Sequence, residues 1–228
     1  MSRPHPGDLI NIHTHDSVRM EGVFAVENLM IHEGRIPDDS ADAFSVGIHP
    51  WFLQKENADE QLARLTAIAS DDRVLAIGEA GYDKVKGPEM DLQRRVFEEQ
   101  ARLADDLGKP LMIHCVKGWD ELWESRRRLK PKSAWVIHGF NGSPEQARQL
   151  ISGDMYLSLW VKSVLNGTLN RVIEETPLAR IFLETDGFYV EMRSVYDSAA
   201  KAAGVALPDF VAAILKNYND VFVRDNKE

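Results

Sequence analysis

The chain has 228 residues with a formal net charge of −9, 27 basic against 36 acidic side chains. That length suffices to bury one sizeable core and is used by many α/β barrels in a single domain, here expected to span residues 1–228. The acidic balance argues against the broad cationic footprint that drives non-specific DNA binding, and the one cysteine, Cys115, excludes an internal disulfide or a thiolate cage for a metal.

The polar start, Met1 to Gly7, has no apolar core of a signal peptide, and no apolar run approaches the roughly 20 residues of a membrane helix. A cytoplasmic protein without membrane association or an obligate protein partner is expected. Eight short apolar runs follow, at 9–15, 23–31, 44–48, 74–78, 111–114, 135–140, 155–160 and 181–186. Helical sequence separates most of them, the pattern of a parallel sheet with outer helices, and hence of a distorted TIM (β/α) barrel in the α/β class. The second run is the weakest, because a parallel crossover normally needs about a dozen residues. Between the runs, Asn57 and Glu60 have capping-box spacing ahead of Leu62, Leu65 and Ile68. Pro88 opens a helix that Gly108 and Pro110 close, Ser143 and Pro144 start another, and residues 207–222 form a last amphipathic helix.

Chemistry collects at the strand ends. His13 and His15, Glu79, His114, His138 and Asp186 each close or follow an apolar run. In a parallel barrel those ends share the face where active sites are built. Side chains two apart on a strand point the same way, so His13 and His15 face inward together and can grip one cation. Taken singly, a His-x-His pair reads equally as a surface turn, and His114 or His138 as a hydrogen-bonded core histidine. Glu79 and Asp186 are harder to place without a metal, because a buried carboxylate needs a compensating charge. Cys115 alternates away from His114 and reads as a small packing residue. His49, in Gly47-Ile48-His49-Pro50-Trp51, is a candidate to bind or protonate a substrate phosphate, or to cap its loop. Lys84 and Lys117 are candidates for rim charge.

Asn11-Ile12-His13-Thr14-His15, Gly47-Ile48-His49-Pro50-Trp51, Gly78-Glu79-Ala80-Gly81-Tyr82-Asp83, Ile113-His114-Cys115, His138-Gly139-Phe140-Asn141-Gly142-Ser143 and Leu183-Glu184-Thr185-Asp186 resemble, in order and spacing, the TatD family of metal-dependent deoxyribonucleases. The resemblance implies a distorted TIM barrel of the amidohydrolase superfamily that hydrolyses DNA phosphodiesters through a water activated by two divalent cations, Mg²⁺, Mn²⁺ or Zn²⁺. It further implies that His13, His15 and Asp186 hold one metal, that His114 and His138 hold the second, and that Glu79 bridges them. We read Asp186, as ligand and as base to the attacking water, Glu79 and His49 as the catalytic set, and the acidic charge makes DNA ends the expected substrate. The chain departs from the family's usual residues at Asn11, at Val116 and Lys117, at Gly139-Phe140-Asn141 and at Phe188. Hydrolysis of another ester or cyclic amide (an aminoacyl-tRNA ester, a lactone or a small amide) is the alternative on the same barrel, since fold does not fix function.

Overall fold

The computed structural model describes residues 3–15 and 19–223. Met1 and Ser2, at the polar start noted above, lie outside them. The strands are β1 (Leu9–Thr14), β2 (Val23–Met30), β3 (Ala43–Gly47), β4 (Val74–Asp83), β5 (Leu111–Val116), β6 (Trp135–Phe140), β7 (Met155–Leu159) and β8 (Ile181–Leu183). They follow one another in one sheet in chain order. The helices are α1 (Ala58–Ile68), α2 (Met90–Leu107), α3 (Trp119–Leu129), α4 (Pro144–Ser152), α5 (Val161–Leu165), α6 (Asn170–Glu175), α7 (Met192–Ala203) and α8 (Leu207–Phe222). Eight parallel strands in sequential order, with helices between consecutive strands from β3 onward, are the topology of the expected (β/α) barrel. No single described helix is long and apolar enough to cross a membrane.

Contacts gather into two compact units, each built from separate stretches of chain. The first comprises Met1–Glu27, Ser40–Asp42 and Val136–Glu228, and the second Asn28–Asp39 and Ala43–Trp135.

In the first unit β1 pairs in parallel with the start of β2, Leu9 opposite Val23 and Asn11 opposite Ala25. β7 pairs in parallel with β8. Beyond β8, the N–H groups of Thr185 and Asp186 both donate to the carbonyl of His13, at 3.3 and 3.1 Å, which fastens this segment to β1. Two side chains from the outer layer reach the strands. Tyr196 of α7 accepts from the N–H of Ile10 at 2.8 Å and donates to its carbonyl at 3.0 Å. Asn217 of α8 donates to the carbonyl of Ile181 at 2.9 Å. Ser143 caps α4 by accepting from the N–H of Gln146, with Pro144 in the first turn, as its sequence indicates.

In the second unit β4 lies parallel between β3 and β5. The expected run at 74–78 proves to be the first half of a ten-residue strand, so Glu79 sits inside β4 and not at its end. Glycines make that possible. A Cβ on Gly81 would fall 1.8 Å from the carbonyl oxygen of His114, and one on Gly78, whose φ is +121°, would fall 2.3 Å from that of Met112. Only a residue without a side chain lets β4 press this closely on β5. Gly108, in the left-handed region at φ 58°, closes α2 as expected.

Two further expectations need correction, and a third feature agrees with the weak second run. β8 stops at Leu183, leaving Glu184 to Asp186 as a loop. The capping box at Asn57 does not form, because Asn57 instead accepts from the N–H of Gln54 and donates to the carbonyl of Phe52. No α-helix stands between β1 and β2 or between β2 and β3 among the described residues, and a single 3₁₀ turn at Ile31–Glu33 serves the second connection. The barrel topology is therefore irregular where the second run reads weakest.

Candidate metal centre

The first unit holds His13, His15, His138 and Asp186. His13, one residue before the end of β1, is fully enclosed, and its Nε2 lies 3.5 Å from Oδ1 of Asp186. His15, just past β1 and partly exposed, places its Nε2 3.2 Å from the same oxygen. The three donor atoms lie within 4.8 Å of one another, close enough to share one cation. Asp186 reaches them from the loop after β8 with a left-handed backbone, φ 49°, a region that aspartate tolerates better than most residues. Asn11 secures that loop, donating to Oγ1 of Thr185 at 2.9 Å and accepting from its N–H at 3.1 Å. Burial raises the Asp186 pKa, but the hydrogen bonds from His13 and His15 outweigh it and hold the carboxyl far below the usual carboxylate range.

His138, on β6, packs its ring 4.4 Å from that of His13. Its Nδ1 faces Oε1 of Glu184 at 3.4 Å. Glu184 is fully buried and fixed by the N–H of Gly139 at 2.7 Å and by the hydroxyl of Ser158. A carboxylate behind one ring nitrogen selects the tautomer and leaves Nε2 with the lone pair a metal needs.

The second unit holds His49, Glu79 and His114, whose donor atoms also lie within 4.8 Å of one another. Oε1 of Glu79, itself buried, stands 2.8 Å from Nδ1 of His114 and 3.1 Å from Nε2 of His49. The opposite nitrogen of His114, Nε2, meets Oδ2 of Asp83 at 3.1 Å. Asp83 accepts from the indole N–H of Trp51 at 2.6 Å and from the N–H groups of Val85 and Lys86 at 2.7 and 2.8 Å. Burial pushes its pKa up, yet these donors and His114 prevail and bring it down to about 2.

That pattern tests whether the residues fit a metal. A neutral imidazole has one N–H, yet His114 presents both ring nitrogens to carboxylates. With Asp83 holding the proton on Nε2, the Nδ1 lone pair faces Glu79, and the contact turns attractive only with a proton or a cation between them. All the donors are nitrogen or oxygen, suited to Mg²⁺, Mn²⁺ or Zn²⁺. His49 differs. Its Nδ1 accepts from the N–H of Trp51 at 3.1 Å, so its proton sits on Nε2 and the ring is set to donate.

The structure thus gathers His13, His15 and Asp186, with His138 beside His13, in one unit, and His49, Glu79 and His114 in the other. Sequence reasoning missed Asp83 and Glu184, the carboxylates behind His114 and His138, and the brace that Trp51 gives to both His49 and Asp83. Of the rim lysines, Lys84 is engaged with Glu121 at 2.9 Å, and Lys117 has a left-handed backbone at φ 56° just beyond β5. Cys115 is largely enclosed, and burial pushes its thiol up to about 12, in keeping with a packing role.

The 3'-5' ssDNA/RNA exonuclease TatD of Cronobacter turicensis is 33% identical over 162 residues, which span 66% of this chain and 59% of that protein. The 3'-5' RNA nuclease TATDN2 of Homo sapiens is 31% identical over 171 residues, 71% of this chain and 22% of its own length. The crystal structure of YjjV, a TatD homologue from Escherichia coli, superposes with a TM-score of 0.76 at 20% identity, covering 97% of this chain and 100% of that one, and so shares the fold. Residues 38–223 match the family described as TatD related DNase, and the chain belongs to that family.

Proposed function

We propose that the protein is a divalent-metal-dependent deoxyribonuclease that hydrolyses DNA phosphodiesters at strand ends. The observation that supports this most strongly is the group His13–His15–Asp186, whose donor atoms lie within 4.8 Å of one another, together with the Glu79–His114 contact, Oε1 to Nδ1, at 2.8 Å. On the resemblance drawn from the sequence, His13, His15 and Asp186 would hold one cation and His114 and His138 the other, with Glu79 serving both. When bound, the cations supply Lewis acidity toward a phosphoryl oxygen and make water acidic enough to attack near neutral pH.

The chain's own residues do the rest. Asp186, ionised because His13 and His15 hold it so, orients the attacking water and takes its proton. His49, whose Nε2–H faces Oε1 of Glu79 at 3.1 Å, would turn that donor to a phosphate oxygen when substrate is bound. Asp83 and Glu184 fix the rings of His114 and His138, so that each presents the intended nitrogen. A net charge of −9 gives little general attraction for duplex DNA, which favours short or frayed ends engaged at the site itself. A single, unpaired, half-buried cysteine suits a reducing cytoplasm, where we place the activity.

The test is a panel of single-stranded DNA, RNA, an aminoacyl ester, a lactone and a small amide, each with Mg²⁺, Mn²⁺ or Zn²⁺ after chelation. Metal-restored cleavage of single-stranded DNA is the expected result. Turnover confined to the ester, lactone or amide overturns the proposal.

A further inference from the structure

The rim of the second unit carries an aromatic surface that the hydrolytic chemistry does not use. Trp51 is 43% exposed, Phe52 36% and Val85 60%, three of the seven exposed large apolar side chains among the described residues. Scattered exposed apolar groups need no explanation, but Trp51 and Phe52 are adjacent aromatics whose rings both lie near that of His49, at 4.8 and 5.9 Å. The Trp51 ring lies 4.8 Å from that of His49 and 5.8 Å from that of His114. A planar group stacked on it would adjoin the candidate centre.

Trp51 is held as a platform would be. Its indole N–H is bound to Asp83 at 2.6 Å and its backbone N–H to His49 at 3.1 Å, so the ring is fixed while much of its surface stays open. Little entropy remains to be lost when a ligand stacks there. The Lys86 ammonium stands 3.9 Å from the ring centroid. Its long stem allows it to swing away, and a cation beside an aromatic face matches a nucleotide, whose base is planar and whose phosphate is anionic. In a chain with net charge −9, stacking is the attraction that does not depend on a basic surface.

We infer that Trp51 is the platform for an unpaired nucleobase next to the scissile bond, with Lys86 turning from the ring to the neighbouring phosphate. This rests on the nuclease reading above. It deepens that reading, because a duplex keeps its bases paired and offers no free face, so the site selects single-stranded ends.

The experiment measures binding of labelled single-stranded DNA in chelator by fluorescence anisotropy, and kcat/KM with metal. It compares an oligonucleotide carrying every base with one that is abasic at its last two nucleotides, each end in turn. Trp51→Leu should weaken binding of the base-bearing strand about tenfold or more and leave the abasic strand unchanged. Trp51→Phe, which keeps an aromatic face but loses the bond to Asp83, should bind nearly as wild type. Equal losses for both variants on both strands would make Trp51 a brace acting through Asp83 and overturn the inference, as would wild-type binding by Trp51→Leu. Wild-type protein that prefers the base-bearing strand yet cleaves neither would refute the nuclease reading and leave the platform standing. Wild-type protein that binds neither strand refutes the platform.

Discussion

Asp186 combines two tasks on one carboxylate. Oδ1 faces both His13 and His15, and ionisation is maintained well below the ordinary range. Asp186→Asn keeps the size and one coordinating oxygen but removes the base, a role worth about 10² to 10⁴ in rate. Turnover at saturating metal should fall by at least the lower figure while thermal unfolding stays near native. Recovery of the wild-type rate at high metal would leave Asp186 a ligand only. Asp83 supports a second prediction, on pH. Its folded pKa, about 2, lies below the 3.8 of a free aspartate, so its stabilisation is full above the unfolded value and lost as pH falls through the folded one. Wild-type protein should therefore lose melting temperature between about pH 4 and 2 by more than Asp83→Asn does, as differential scanning would show; parallel curves would contradict this. The ligand-type residues were legible because strand alternation and position after apolar runs mark them without knowledge of their neighbours. Asp83 and Glu184 were not, because each is identified by the histidine it backs, across 31 residues for Asp83 and from a separate strand end for Glu184.

Strands and their connections explain which parts of the fold escaped the sequence. Gly78 reads as the end of a strand because glycine ordinarily punctuates one, yet here the missing side chain is what lets β4 continue against β5. Asn57 and Glu60 have the spacing of a cap, but Gln54 and Phe52 compete for the same side chain and win. Ser143, with no such rival, caps α4 as its spacing indicates. The close approach at Gly81 gives a direct test. In Gly81→Ala the new methyl group must displace the backbone of His114, an overpacking cost of about 1 to 3 kcal/mol. That should lower the melting temperature by about 2 to 10 °C, with loss of metal affinity because His114 shifts. An unchanged melting temperature would show that β4 and β5 have slack that the geometry denies.

At the scale of the molecule, the chain passes between the two compact units four times, so neither is a continuous stretch of sequence. We propose that residues 1–228 act as a single domain for this reason. The net charge of −9 also acts at this scale. Binding to circular duplex DNA, which has no ends, should be weak and shallow in its salt dependence; a steep slope would reveal a cationic surface at odds with the proposed end preference. Metal content of wild-type protein and of Glu79→Gln decides whether Glu79 serves two cations, as proposed. About two divalent ions per wild-type chain are expected, with both positions weakened and activity lost in the variant. A Glu79→Gln protein that keeps one tightly bound ion and full activity would contradict it.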